Sequence, residues 1–286
     1  MDFDLPQYLA ERKAWVEEKL ESVLPKADGA TPDVLAAAMA HALKAGGKRL
    51  RPILCMAAAE SVGAEPRSVL TAAAAVELLH NYTLVHDDLP CMDNDTLRRG
   101  QPTVWKQYGE TVAVLAGDAL LTLAFGVLAE QPEIRPGTAA ALAKELAAAA
   151  GSGGVIGGQV EDIRYAGSPS RPLVEYVFQH KCADLFRAAC RIGGIAAGAD
   201  AAQLSALSEY ANRLGFAFQI QDDLLDAQQA KDDTKPELSC LDIMSAGQAY
   251  DWAQQHTDAA VAALSELPGD TRAMAAIAVR LMSRKI

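Results

Sequence analysis

Apolar positions recur every three to four residues along almost the whole chain, the period of helices with one face turned to a core. That pattern predicts helices over roughly 4–24, 32–45, 50–63, 67–89, 104–108, 111–130, 137–165, 172–198, 201–228 and 246–263, with a short one near the C-terminus. Breaks are expected where turn chemistry interrupts the period, at Pro25, Ala45-Gly46-Gly47, Pro66, Pro90, Pro102, Pro132 and Pro136. Thr31-Pro32 has the form of an N-cap followed by proline at the first helical position. Alternating β-branched runs bounded by turns are missing, and no linker, repeat or low-complexity segment divides the chain. The expectation is one all-α domain over residues 1–286, an antiparallel helical bundle.

Composition narrows the function. Half of the residues are hydrophobic and only 6% aromatic, and alanine runs favour helices packed closely through small side chains. The net charge of −11, from 37 acidic and 26 basic residues, disfavours nucleic acid and anionic lipid as partners. No uncharged apolar run is long enough to span a bilayer; TAAALAKELAAAA carries Lys144 and Glu145. The start, MDFDLPQYLAERK, lacks the basic-then-apolar order of a signal peptide. Five cysteines (Cys55, Cys91, Cys182, Cys190, Cys240) form no C-x-x-C pair and no zinc spacing, which fits a reduced, cytoplasmic setting.

Two acidic clusters stand out against this background. In HDDLPCMDND, Asp87, Asp88, Asp93 and Asp95 follow an apolar helix that Pro90 should end, so carboxylates sit at a helix C-terminus where the macrodipole disfavours them. In FQIQDDLLD, Asp222, Asp223 and Asp226 interrupt a stretch that otherwise reads as core, and Asp222 repels Asp226 one turn away. A single acidic run is usually a solvated face. Two runs placed where they cost stability point to divalent cations, and magnesium takes a few carboxylates plus water and phosphate oxygens.

Basic groups match them. GGKRLRP supplies Lys48, Arg49 and Arg51, and LRRGQPT supplies Arg98 and Arg99. The first is not a Walker loop, since Ala42 replaces its first glycine and Arg49 its Ser/Thr. Arginine forks suit phosphate oxygens. His80 lies two helical turns before Asp87 on the same face, and Lys181 breaks an apolar helix. GSGGVIGGQVED follows a helix and not a strand, so its glycines are expected to allow a kink or close packing, with Gln159 and Asp162 toward the cleft.

These motifs, GGKRLRP, LLHNYTLVHDDLPCMDNDTLRRGQPT, LAGDALLT, GGQVED, the His180-Lys181 pair and FQIQDDLLD, resemble in order and spacing the polyprenyl synthetase family, specifically its bacterial short-chain trans-prenyltransferases of the farnesyl diphosphate synthase type. The resemblance implies helices around a deep central cavity and a homodimer. It implies about three magnesium ions held by Asp87, Asp88, Asp93, Asp222, Asp223 and Asp226. Arg98, Lys181 and Gln219 would contact the allylic diphosphate; Lys48, Arg51, His80 and Arg99 would bind isopentenyl diphosphate. Loss of diphosphate would leave an allylic cation, attacked by the isopentenyl double bond before a proton is lost. Tyr82 and Thr83, about one turn before Asp87, would floor the tail pocket and stop growth at fifteen carbons. Geranyl or geranylgeranyl diphosphate are the alternative products, and a weakly active partner subunit or a terpene cyclase the alternative functions. The match ends after Asp226: a Gly-Lys turn and a Lys-x-Thr-Tyr-Pro stretch are missing, with Lys231 or Lys235 as candidate substitutes. Cys182 stands where Thr or Ser is usual, and Asp184 is expected to stay outside any metal shell.

Overall fold

The computed structural model describes residues 3–27, 29–130, 137–164, 169–228 and 238–283. Its helices are α1 (Leu5–Val23), α2 (Asp33–Lys44), α3 (Leu50–Ser61), α4 (Leu70–Asp87), α5 (Val104–Tyr108), α6 (Glu110–Ala129) and α7 (Thr138–Ala150). They continue as α8 (Val155–Ile163), α9 (Arg171–Val177), α10 (Asp184–Ala197), α11 (Ala201–Asp226), α12 (Ala246–Ala263) and α13 (Arg272–Met282). The fold is all-α.

Helix α4 is the central element, packed by α3, α6 and α10. Ala72 to Ala75 are fully buried, and side chains this small let neighbouring backbones approach. Leu78 and Leu79 follow at 0% exposure, each contributing about 1.5–3 kcal/mol by leaving water. Helix α11 joins this core to a smaller one formed with α9 and α12 around Phe178, Ile220 and Leu224. Asp200 and Gln203 make a reciprocal capping box that starts α11, and Ser245 with Gln248 does the same for α12.

Four local departures from the sequence expectation have clear causes. The helix expected over 137–165 is two helices, because the chain turns at Gly151 to Gly154. Within 172–198, residues Phe178–Ala183 widen into a π-helix, which leaves hydrophobic periodicity nearly unchanged and so is invisible to it. Pro32 sits at the N-cap of α2 with no side-chain cap, so Thr31 lies outside the helix. A hairpin of two residues per strand, Leu97–Arg98 (β1) and Gln101–Pro102 (β2), is too short to show a period of two. Its turn residues Arg99 and Gly100 have φ of 53° and 79°, the paired positive values of a type I′ hairpin. Pro132 and Pro136 lie outside the described residues.

Helix α6 is long and apolar enough by length and composition to cross a bilayer, with mean hydropathy 2.1 over its best window. Asp118 interrupts it, and Ala113, Ala116, Gly117, Leu120, Ala124, Val127 and Leu128 are buried against the protein. Val114 and Leu115 are instead exposed on its other face.

The α11–α12 contact carries a pH prediction. His256 is buried, stacked 4.9 Å from Phe216 and edge-on to Trp252, and its Nδ1 has no partner. Burial, aided by Arg213, holds its pKa down to about 4. The folded state therefore resists a proton that the unfolded chain accepts below its ordinary value near 6.5. Stability is full above that value and falls as pH drops toward 4, by up to about 3 kcal/mol from this group. Urea titrations of the parent and His256→Phe between pH 7 and 4.5 should show a shallower decline in the variant; equal slopes would exclude His256 as the cause.

Candidate active site

The basic loop between α2 and α3 is built around a residue that does not face the cleft. Arg49 adopts φ of 50°, and its side chain turns inward to pair with Glu77 of α4 at 2.7 Å and to donate to the Leu43 carbonyl at 2.5 Å. Both partners of this ion pair are buried, and Asn81 Nδ2 also donates to Glu77. Arg49 thus leaves the expected phosphate-gripping set and becomes the anchor of the loop. Sequence inspection placed it with its neighbours because its partner is 28 residues away.

That anchor sets Arg51 beside His80, one turn beyond Glu77 on α4. Arg51 Nη1 lies 3.2 Å from His80 Nε2, and its guanidinium carbon sits 4.5 Å over the Phe186 ring. Burial drives the His80 pKa well down, and Arg51, Arg99, Arg49 and Arg98 push the same way. His80 is therefore neutral, with Nε2 accepting from Arg51 and the ring proton on Nδ1. Arg99 reaches back across the loop to donate to the Gly46 carbonyl, and its guanidinium fills the space a Cβ at Gly47 would need. Gly47 also has φ of 132°, a conformation that favours glycine there. Lys48 is exposed at the rim of a cleft of about 640 Å³ between α1 and α13.

The first acidic cluster lies at the end of α4 as expected. Asp87 is the last helical residue and Asp88 its C-cap. Burial pushes the Asp87 carboxyl up to about 7, opposed by Lys181 and reinforced by Asp93 and Asp88. Asp88 is 3% exposed and accepts from Arg98 Nε at 2.7 Å. Arg98 also reaches Asp95 at 3.4 Å. Asn94, in the left-handed region at φ of 58°, turns the loop that leaves Asp93 exposed at its edge.

Opposite stands the π-helix, a feature that often marks functional sites. Lys181 within it pairs with Asp162 of α8. Burial works against the lysine charge, but Asp162, Asp87 and Asp93 more than restore it, so its pKa is raised. Gly158 permits this approach, since a Cβ there would collide with the His180–Lys181 backbone. Close packing is thus what the GGQVED glycines provide. Gln159 beside it is buried with Nε2 unpartnered. Cys182, which follows Lys181, is buried, and its thiol is raised to about 12 by burial while feeling Arg51, Asp222, Lys181 and Asp223. Lys181 is within electrostatic reach of Asp87 and Asp93, and Cys182 of Asp222 and Asp223, so the π-helix stands near both acidic clusters.

On the second rim, Asp222 is half-buried and Asp226 exposed. Asp223 is different: Gln219 Nε2 donates to its Oδ1 at 3.1 Å, and Cys240 N and Ser239 Oγ donate to its Oδ2 at 2.7 and 3.0 Å. Asp184 is also committed, with Oδ1 accepting from Gln179 and Arg187 and Oδ2 2.7 Å from His180 Nδ1. Tyr82 is buried edge-on to His86, and Thr83 Oγ donates to the His80 carbonyl. Lys231 and Lys235 lie outside the described residues. Sequence reasoning missed Glu77 as the anchor's partner; an acidic residue inside an otherwise apolar helix was the available signal.

Among the described residues, no three His, Cys, Asp or Glu side chains converge as a ready metal cage. Magnesium is commonly held by one or two carboxylates and substrate phosphates without such a cage. The half-buried, mutually repelling acidic group around Asp87 suits a cation that arrives with an anion.

Comparison with known proteins agrees with this geometry. The polyprenyl synthetase family profile matches residues 32–258. A farnesyl diphosphate synthase from Geobacillus stearothermophilus is 42% identical over 229 residues, 79% of this chain and 76% of that protein. Geranylgeranyl pyrophosphate synthase 7 of Arabidopsis thaliana, a chloroplastic protein, is 41% identical over 235 residues, 81% and 67% of the two chains. Among solved structures, an FPP/GFPP synthase from Zymomonas mobilis superposes with a TM-score of 0.87 at 34% identity, covering 97% of this chain and 98% of that one. The chain belongs to the polyprenyl synthetase family and is a trans-prenyltransferase.

Proposed function

We propose that this prenyltransferase condenses isopentenyl diphosphate with dimethylallyl and then geranyl diphosphate, and releases farnesyl diphosphate. The reading of product length rests on Tyr82, 5% exposed and about one turn before Asp87 on α4, where its ring would block a longer tail. Relatives of both fifteen- and twenty-carbon type match the chain, so the floor residue and not the family decides this reading.

In this reading the allylic diphosphate lies between the rims. Asp87 and Asp93 on one side and Asp222 and Asp226 on the other would hold magnesium, about three ions with Asp88 and Asp223 assisting. When bound, the metal neutralises the charge that develops on the departing diphosphate. Lys181 and Arg98, already oriented by Asp162 and Asp88, bind the same oxygens, with Gln219 beside them. Arg51, Arg99, Lys48 and neutral His80 bind isopentenyl diphosphate through hydrogen-bond donors. The apolar wall of α4 keeps water from the allylic cation. A terpene cyclase has no second diphosphate to hold, so the Arg51–His80 pair argues against it.

The exposed Val114 and Leu115 stripe on α6 supports a homodimer packed through that face. Five unpaired thiols, four of them buried, suit a reducing cytoplasmic compartment.

The test is incubation with isopentenyl diphosphate, magnesium and either allylic primer, followed by dephosphorylation and chromatography of the alcohols. A dominant fifteen-carbon product is expected, and Tyr82→Ala should shift most of it to twenty carbons or more. A twenty-carbon product from the parent would overturn the floor assignment while keeping the chemistry.

A further inference from the structure

Asp222 and Asp226, four residues apart, share a face of α11, whereas the side chain of Asp223 is turned about 100° from that of Asp222. Asp223 is 9% exposed and directs both oxygens at protein donors. Its Oδ2 receives the Cys240 backbone N–H and the Ser239 hydroxyl, which begin the short 3₁₀ turn Cys240–Asp242. Its Oδ1 receives the Gln219 amide. Ser239 and Cys240 lie in the stretch after Asp226 where the family motifs are missing. Cys240 is itself fully buried and packs with Ile220 and Leu224 of α11, so the turn is fastened by one carboxylate and one apolar contact.

We propose that Asp223 is a positioning residue and not a metal ligand: it clamps the Ser239–Cys240 turn onto α11 and orients Gln219, leaving Asp222 and Asp226 to face the metal. The assignment refines the metal reading above, but its first test is independent of it. In metal-free protein, only the exposed Cys91 thiol should react quickly with a disulfide reagent. Asp223→Ala frees the turn, and a second thiol, removable by Cys240→Ser, should react about tenfold faster or more, the equivalent of one lost charged hydrogen bond. Ser239→Ala gives an intermediate rate, and Asp222→Ala none of this effect.

The second test is Mn²⁺ binding in the presence of inorganic diphosphate. Asp223→Asn keeps an acceptor for the Cys240 N–H, so its Mn²⁺ affinity should stay within about threefold of the parent, whereas Asp222→Asn should lose about tenfold or more. Asp223→Asn should likewise regain most of the kcat that Asp223→Ala loses. An unreactive Cys240 in Asp223→Ala would overturn the clamp. Loss of Mn²⁺ by Asp223→Asn as severe as that of Asp222→Asn would make Asp223 a ligand. If Asp223→Ala fails to fold, Ser239→Ala and Asp223→Asn carry both measurements.

Discussion

Asp87→Asn is expected to lower kcat by about two to three orders of magnitude while leaving the metal-free protein at least as stable as the parent. The two effects have one origin. Asp87 ends α4 at the negative pole of the helix, half-buried, with Asp88 and Asp93 near enough to raise its proton affinity further. A carboxylate in that position is unfavourable to folding unless a cation is present, so asparagine should raise metal-free stability by about 0.5–2 kcal/mol. The same change removes a negative oxygen from the rim that meets the diphosphate. Single-turnover rates with geranyl diphosphate and urea titrations in chelator would measure both sides. Turnover within about tenfold of the parent would remove the first acidic cluster from the metal reading. A clear loss of metal-free stability would show instead that Asp87 is part of the folded frame.

Much of this frame is legible in the residues because the local rules agree with one another. Helical period and proline or glycine breaks place α1 to α6 within a few residues of where they lie, and the acidic clusters fall on the helix ends and faces their spacing implies. What stays hidden is set by distant partners. Arg49 reads as one more cation in a basic run until Glu77, on another helix, turns it inward. Asp223 reads as the twin of Asp222 until the turn at Ser239 occupies it. The π-helix around Lys181 changes the hydrogen-bond ladder without changing the apolar pattern, so nothing in the period announces it. The hairpin that orients Arg98 is two residues deep, below the length at which alternation can be seen.

Arg51→Gln should raise the KM for isopentenyl diphosphate by about one to two orders of magnitude and lower kcat/KM by about two to three, with the affinity for the allylic diphosphate nearly unchanged. Arg51 is held on two sides: His80 Nε2 accepts from it and its guanidinium lies over the Phe186 ring. Burial and Glu77, not solvent, set its environment, so its charge is worth more to an incoming anion than a surface lysine's. Lysine is no substitute, because it offers a point charge without the planar fork that can hold phosphate while still meeting His80. Arg51→Lys should therefore recover only part of the loss. The split between the two substrates is the informative result. If Arg51→Gln weakened the allylic diphosphate equally, the two diphosphates would share one anion site, and the ordered division between the α3–α4 wall and the acidic rims would fail. If allylic diphosphate were consumed at the parental rate without isopentenyl diphosphate, the site would be ionising its substrate alone, which is cyclase chemistry. Loss confined to the isopentenyl side is what a condensing enzyme requires, since only there does Arg51 have a second diphosphate to hold.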